Sequence, residues 1–346
     1  MIGLVSVVIA NYNGRELLGE CLESLRHQTY SACEVIVVDN GSTDGSGEWL
    51  SEHFPEVKLV RLPSNRGFAG GSNAGIAVAR GEFVAILNND TVVAPTCLEE
   101  LVRVAADQPD VGMVAAKLLF WNQPNIINST GIAIDRVGIA WDRYGGQLDE
   151  SDEATVDVFG PCGAAALYRR AMLDDVGAFD EDFFCYLEDV DLAWRARLAG
   201  WRCLSAPKAR VIHHHSATSV ENSPFKRYHL GRNKVWLIAK NYPWPEIALY
   251  LPVILIYDAA TVLLAPLFDR RPATTPIRVA SLTGRLAGIA GLAGALAKRR
   301  VIQRQRRIPS WRVLASMESI SPPWGIYRRY AHLVRPNELD NGVSFK

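Results

Sequence analysis

Apolar residues fall into two alternating rhythms over the first 115 positions of the chain. LVSVVIA (Leu4 to Ala10) is a short β-branched run without polar alternation, the pattern of a strand buried on both faces. The segment that follows, ELLGECLESLRHQ, carries Leu17, Leu18, Cys21, Leu22 and Leu25 at helical spacing. CEVIVVD, VKLVRL and FVAIL repeat the strand pattern, each running into a turn rich in Gly, Asn or Ser and then another helical stretch. This βαβαβαβ order predicts an α/β fold, Rossmann-like, on an open and mostly parallel sheet with ligands at the carboxyl ends of its strands. From about Asn122 to His215 the pattern is mixed. It holds short strands, the small-residue segment GPCGAAALYRR, and a helix from about Asp189 to Ala199 stopped by Gly200. Beyond Tyr228 the character changes to the apolar run Ile247 to Phe268 and an Ala/Gly/Leu-rich stretch, Ile277 to Ala297. A boundary near residue 225 divides the chain into residues 1–225 and a helical, basic region, 226–346.

Composition narrows this little: 49% hydrophobic and 21% charged residues describe a globular chain. Lys plus Arg equals Asp plus Glu at 37 each, which argues against a nucleic-acid coat and against nucleic acid as a partner. The balance is not local. Between Ala295 and Arg335 ten bases face the single acid Glu318, a patch that seeks phosphate or an anionic membrane surface. Six scattered cysteines without a CxxC pair read as buried thiols in a reducing compartment. The apolar start, Ile2 to Ala10, lacks the basic flank and cleavage site of a signal peptide, so a cytosolic setting is expected.

Five polar clusters sit at strand ends or in the loops after them. NYNG (11–14) follows strand one and Asp39 ends strand two within VVDNGSTDGS. NRGFAGGSNAG (65–75) opens a helix after strand three, LNND brings Asp90 after strand four, and FFCYLEDVDLAWR sets Glu188, Asp189 and Asp191 at a helix start. Any one of these reads as an ordinary turn, or as an acid favouring a helix N-terminus. The glycine-rich loop is not GxGxxG and does not follow strand one, which counts against a dinucleotide-binding dehydrogenase.

In this order the five motifs resemble those of inverting glycosyltransferases of family 2, which have the GT-A fold. The chain is similar in particular to the rhamnosyltransferase-like branch that builds bacterial surface polysaccharides, from Val5 to about Ser219. The resemblance implies a nucleotide-sugar donor, with dTDP-L-rhamnose favoured. It implies donor contacts at Ala10, Asn11, Tyr12, Asn13, Asp39, Asn65, Gly67, Gly70, Gly71, Asn73, Asn88 and Asn89. Asp39 would accept from the base, while the small residues let backbone approach the nucleotide. The family's DxD motif stands here as Asn88-Asn89-Asp90, so Asp90 matches the acid that binds Mg2+ or Mn2+ and Asn88 replaces the first carboxylate. Asp189 matches the family's base, with Glu188 beside it. Asp191, about 200° around the helix, faces elsewhere. Acceptor contacts are expected at Gly163, Ala164, Tyr186 and Trp194. In VIHHHSATS, His213 is the best positional match to a further metal ligand, then His214; a hydrogen-bonded trio with His215 is the alternative.

The run Ile247 to Phe268 is long enough for a bilayer at about 20 residues, but Pro252, Asp258 and Pro266 interrupt it. With Arg278, Ser281 and Arg285 on one face of the next segment, the pattern predicts helices lying in a membrane interface. The alternative is a bundle packed on the rest of the chain or on a second subunit, as in a homo-oligomer. The basic run favours an anionic membrane surface, and with it a lipid-linked, polyprenyl-diphosphate saccharide acceptor at the cytoplasmic face, the enzyme being peripheral or monotopic. Two other classes compete. A sugar-nucleotide nucleotidyltransferase would need a Gly-rich loop with Arg or Lys after strand one, where NYNG stands. A non-catalytic membrane scaffold would not need Asp39, Asp90 and Asp189 intact.

Overall fold

The computed structural model describes residues 3–149, 154–214, 223–263 and 274–320. The first rhythm becomes β1 (Val5–Asn11), α1 (Arg15–Arg26), β2 (Cys33–Asp39), α2 (Ser46–His53), β3 (Lys58–Arg61), α3 (Gly67–Val78) and β4 (Phe83–Asn88). Then come β5 (Thr91–Val93), α4 (Cys97–Ala106), β6 (Val111–Phe120), β7 (Gln123–Ser129), β8 (Ile132–Ile134) and β9 (Ala140–Asp142). After these follow β10 (Ala165–Arg169), α5 (Arg170–Val176), α6 (Glu188–Leu198) and β11 (Arg202–His213). Five helices close the described chain: α7 (Pro224–Asn241), α8 (Trp244–Leu263), α9 (Thr274–Ala290), α10 (Leu292–Gln305) and α11 (Ser310–Ala315).

The main sheet runs β3-β2-β1-β4-β10-β6-β11-β5, with β7 added on β6. The four strands of the N-terminal rhythm are parallel, and Val5, Val7, Val8 and Ile9 of β1 are wholly buried, as a two-sided strand requires. Beyond β4 the sheet is mixed: β10 runs antiparallel to both β4 and β6, and β11 runs parallel to β6 but antiparallel to β5. That reversal starts β10 at the edge where β4 ends, so the segment Cys162–Ala164 joins the carboxyl ends of the parallel strands. One face buries the α1 stripe Leu18, Cys21, Leu22 and Leu25 with Leu98 and Leu101 of α4. The other buries Ala69 and Ile76 of α3 and Val190 and Trp194 of α6.

Leu237, Tyr242, Ile254, Ile302 and Val313, from the C-terminal helices, share that second core. Ser223 caps α7 by accepting from the Lys226 amide at 3.2 Å, with Pro224 in the first turn. Helix α9 lies close on α7 because Gly284 has no side chain: a Cβ there would stand 2.1 Å from the Tyr228 carbonyl oxygen. Asp258 of α8, the acid that interrupts the apolar run, accepts from Lys234 at 2.9 Å and Arg285 at 3.1 Å, so it ties three helices together. Among the described residues no single helix is long and apolar enough to cross a membrane. Exposed Leu249, Leu255 and Ile256 of α8 and Val279, Leu286 and Ile289 of α9 leave an apolar outer surface. The basic run is partly used internally, since Lys298 pairs with Asp182 at 2.5 Å, Arg307 with Asp175 at 2.5 Å, and Arg299 is buried. Arg328, Arg329 and Arg335 lie outside the described residues, as do Ser219, Phe268 and His215.

Candidate functional site

Strand register fixes the frame of the site. Asn11 pairs with Asp39 across β1 and β2, and Ala10 with Asn88 across β1 and β4, so the first, second and fourth motifs share one sheet edge. The Asn88 amide donates to the Ala164 carbonyl at 2.9 Å, which joins the segment before β10 to the same edge. His213 ends β11 opposite Thr91 of β5.

Asp39 is buried at the end of β2, and its Oδ1 accepts from the Ser42 amide at 3.0 Å, which shapes the Asp39–Ser42 turn. Asn13, with a left-handed φ of 51°, accepts from the Thr43 amide at 2.8 Å and so links the NYNG turn to the second motif. Tyr12 stays 44% exposed beside it. Asn40, absent from the sequence-derived set, organises the third motif. Its amide group donates to the Gly67 carbonyl at 2.9 Å and to Asn65 Oδ1 at 3.1 Å, and its oxygen accepts from the Arg66 amide. The signal lay in its place directly after Asp39 in VVDN.

Several expected donor contacts are turned to protein instead. Asn89 is buried, its amide donating to Asn11 Oδ1 at 2.7 Å, and Asn11 in turn donates to Ser46. Asn73 donates to the Phe179 carbonyl at 2.8 Å and accepts from the Phe179 amide, fastening α3 to the segment before α6. The room left by Gly67, Gly70 and Gly71 also serves packing. A Cβ on Gly67, where φ is 70°, would fall 2.2 Å from the Phe184 carbonyl oxygen, and one on Gly71 would crowd Ala10 and Asn40. Gly70 lies against Arg66. Asn88 and Ala10 remain half-buried at the strand ends.

Asp90 is 4% exposed, and its Oδ1 stands 3.3 Å from His213 Nε2. That is ion-pair distance without hydrogen-bond geometry, and Oδ1 is left with no hydrogen bond. His213 Nδ1 meets Asn128 Oδ1 at 2.8 Å, so in the neutral ring Nδ1 carries the proton and Nε2 turns its lone pair to the carboxylate. Burial opposes the Asp90 charge, but with the ring protonated the hydrogen bond and positive charge of His213 outweigh it and hold the carboxyl below its usual range; a cation at the same place would take over that part from the proton. Two electron-rich atoms facing each other, one of them orphaned, form half of a cation site. The carboxylate suits Mg2+ or Mn2+, and the imidazole beside it favours Mn2+ of the two. Among the described residues no group of three or more His, Cys, Asp or Glu side chains converges as a metal cage. His214 turns outward to stack on Trp121 and reaches Glu20 at 3.3 Å.

At the start of α6 two carboxylates adjoin. Asp189 Oδ2 accepts from the Gly163 amide at 3.0 Å and Oδ1 from the Val190 amide at 2.8 Å. Burial pushes Asp189 up to about 6 despite these bonds, with Asp142 at the end of β9 adding repulsion. Glu188, 5% exposed with Oε2 unbonded, is raised well above the carboxylate range by burial and by Asp189. Of the two, Glu188 is the more strongly raised, so the pair gives up its first proton from the Asp189 side. Asp142 and Asn128 carried no sequence signal, lying outside every motif.

Asp191 is fully buried on another side of α6, where Arg195 Nε at 2.9 Å, Lys240 Nζ at 2.9 Å and Asn241 Nδ2 at 2.9 Å surround it. Of the residues expected to meet an acceptor, Gly163 touches Asp189 and Ala164 is buried. Tyr186 lies in a segment where Phe184, Tyr186 and Leu187 all have positive φ, held by Asn233 Nδ2 donating to the carbonyls of Phe183, Cys185 and Tyr186. Trp194 is the correction: it is 1% exposed and edge-on to Phe159 and Tyr242 in the core. Five residues beyond Asp189, it sits about 140° around the helix and faces away.

Comparison with known proteins adds the following. Residues 6–177 match Glycosyl transferase family 2. The N-acetylglucosaminyl-diphospho-decaprenol L-rhamnosyltransferase of Mycobacterium tuberculosis is 29% identical over 240 residues, 62% of this chain and 77% of that protein. The O-antigen biosynthesis protein RfbC of Myxococcus xanthus is 32% identical over 225 residues, 62% of this chain but only 17% of that protein. Among solved structures, the mannosyltransferase PcManGT from Pyrobaculum calidifontis, in complex with GDP-Man and Mn2+, superposes with a TM-score of 0.50 at 21% identity, covering 91% of this chain and 86% of that one.

Proposed function

Since the chain belongs to glycosyl transferase family 2 and has the GT-A fold, we propose that it is an inverting enzyme that moves L-rhamnose from dTDP-rhamnose to a lipid-linked, polyprenyl-diphosphate saccharide. The observation that carries this reading is the carboxylate pair at the head of α6. Asp189, fixed by the Gly163 amide and pushed up to about 6, is ionised at neutral pH yet basic enough to take a proton from an acceptor hydroxyl. In one displacement the acceptor oxygen bonds to the anomeric carbon, the bond from that carbon to the nucleoside diphosphate breaks, and the hydroxyl proton passes to Asp189. Inversion follows because attack and departure are in line. Glu188, raised by burial and by Asp189, resists adding a second negative charge beside the base.

Asp39 and the NYNG turn would receive the base and ribose. Asp90 and His213 would hold a divalent cation, which when bound neutralises charge on the departing diphosphate. Asn88 in place of an acid keeps this end of the sheet less negative, which eases approach of the donor's own phosphates. The donor sugar and acceptor class rest on likeness to the mycobacterial rhamnosyltransferase. As a division of labour, residues 1–225 would carry the transfer chemistry. Residues 226–346 would dock the enzyme peripherally on the anionic, cytoplasmic face of the membrane, where such an acceptor lies.

The test compares dTDP-rhamnose with UDP-hexoses for Mn2+-dependent donor hydrolysis and for transfer to a polyprenyl-diphosphate N-acetylglucosamine. Asp189→Asn should lower transfer by roughly 10²-fold or more with donor affinity retained. Full activity in Asp189→Asn, with loss in Glu188→Gln, would exchange the two roles.

A further inference from the structure

Where α7 ends and α8 begins, a cavity of about 580 Å3 opens against α10, bordered by Trp244, Pro245, Arg299, Arg300, Gln303 and Arg306. Its floor is fixed. Arg299 is 5% exposed, and its Nη1 donates to the Ala239 carbonyl at 2.8 Å and to that of Tyr242. The same guanidinium lies 4.2 Å from the centroid of the Trp244 ring. Gln303 is tied down as well, donating to the Asn241 carbonyl at 2.9 Å. Arg300 and Arg306 are exposed at the rim, and Arg306 reaches only the Ser310 hydroxyl, at 3.0 Å. Among the described residues no carboxylate pairs with either, whereas Lys298 and Arg307 in the same stretch each meet an aspartate. Burial and repulsion from Arg306 together weaken Arg299's hold on its proton, against the opposing attraction of Glu246. Glu246, the acid that acts on Arg299, does not line the cavity.

The surroundings say which anion fits. Trp244 is 61% exposed and is also the first residue of α8, whose outer side continues as exposed Leu249, Leu255 and Ile256 (65% exposed). A phosphate seated at Trp244 would lay that apolar side along acyl chains, with a tryptophan at the polar boundary. A free phosphate in solution would leave the surface unaccounted for. The cavity is lined by none of the groups assigned to the reaction: Asp39, Asp90, Glu188, Asp189 and His213 all lie outside it.

We propose that this cavity seats the phosphate headgroup of an anionic membrane lipid and so sets the depth and tilt at which α8 and α9 meet the bilayer. The inference rests on the membrane-docking part of the proposed function. Its test uses the full chain, sedimented with phosphatidylcholine vesicles with and without phosphatidylglycerol. Loss of two rim arginines at about 1 kcal/mol each predicts roughly 30-fold weaker binding of Arg300→Ala/Arg306→Ala to the anionic vesicles. Arg103→Ala, which removes an exposed arginine on α4, should bind as the parent does, and donor hydrolysis in solution should be unchanged in all three proteins. Equal vesicle binding by the double variant and the parent would overturn the cavity assignment while leaving membrane docking intact. Stabilisation of the parent by inorganic phosphate without any vesicle binding would make the site one for a soluble anion and overturn the lipid. A parent that ignores both vesicles and elutes as a dimer would assign the apolar faces to a second copy and overturn the docking reading too. Donor hydrolysis reports on the transferase separately.

Discussion

Replacing Lys240 by methionine isolates the interaction that joins the catalytic helix to the C-terminal helices. Lys240 is 2% exposed, with Nζ 2.9 Å from Asp191 Oδ1, a second bond to Asp180, and the Phe183 ring 4.7 Å away. Methionine keeps the stem and its packing but leaves two buried aspartates short of a cation. Breaking a buried pair costs about 3 to 5 kcal/mol. Here Arg195 still pairs with Asp191 and Lys298 with Asp180, which places the loss near the lower end, about 3 kcal/mol. Burial works against the Asp191 charge, yet Lys240, then Arg195, with hydrogen bonds from Lys240 and Asn241, bring its pKa from 3.8 to about 2. That net shift, shared among these partners, is worth about 2 kcal/mol. Its sign follows from the direction: a carboxylate lowered by folding stabilises the protein above its unfolded pKa, and the benefit is lost as pH falls through about 2. Urea midpoints read by tryptophan fluorescence should therefore drop for Lys240→Met at pH 7, with a smaller gap below pH 4. A double-mutant cycle with Asp191→Asn should show coupling. A penalty below about 1 kcal/mol, or one that does not change with pH, would refute the argument. Because Asp191 is two residues from Asp189, the folded variant should also lose kcat more than donor affinity.

Four further outcomes are expected. The transfer rate should rise with pH through about 6 and level off above it, since Asp189 must be ionised to act; a flat profile from pH 5 to 8 at saturating donor would remove it as the base. Asp90→Ala and His213→Ala should each weaken Mn2+-dependent nucleotide binding, read by calorimetry, while leaving the far-ultraviolet spectrum intact; unchanged Mn2+ dependence in both would dismiss the pair. Asn128→Ala frees the His213 ring and should weaken the same binding by roughly 10-fold, the usual scale for a partner that orients a ligand. Gly67→Ala forces a Cβ onto the Phe184 carbonyl at a left-handed φ and should destabilise by about 1 to 3 kcal/mol, measured as a lowered urea midpoint; a neutral effect would mean that α3 and the Phe184 segment are free to move apart.

The parallel half of the sheet was largely legible because its signals are local. A β-branched run predicts its own strand, and a polar residue at the end of a parallel strand points to the binding edge whatever follows. The motifs that hold Asp39 and Asp90 could therefore be placed at that edge, while the roles given to them and to Asp189 come from the family resemblance. What sequence reasoning missed depends on partners far along the chain. Asn128 matters because β11 returns His213 to it, and Asp142 because β9 ends near Asp189. Asn73 and Asn89 have side chains that suit a ligand but are taken up by Phe179 and Asn11, which no spacing rule reveals. Asp258 read as an obstacle in an apolar run, and only the meeting of α7, α8 and α9 shows it as a tie. Trp194 is different: helical angle alone would have turned it away from Asp189.

The late place of β10 in the chain also governs the order in which the protein is assembled on the ribosome. Strands β1 to β4 are made first and pair among themselves, Val5 of β1 with Phe83 of β4, which leaves β4 at the border. Its far side is filled only when β10 arrives, Ala165 opposite Leu87, after some 75 further residues have been made. Until then an apolar strand, Phe83 to Leu87, presents unpaired amides and carbonyls, the condition that invites pairing with another nascent chain. Chains released before β10 should therefore collect in aggregates, and a chaperone that shields this border has its longest work between the synthesis of Asn88 and that of Arg169.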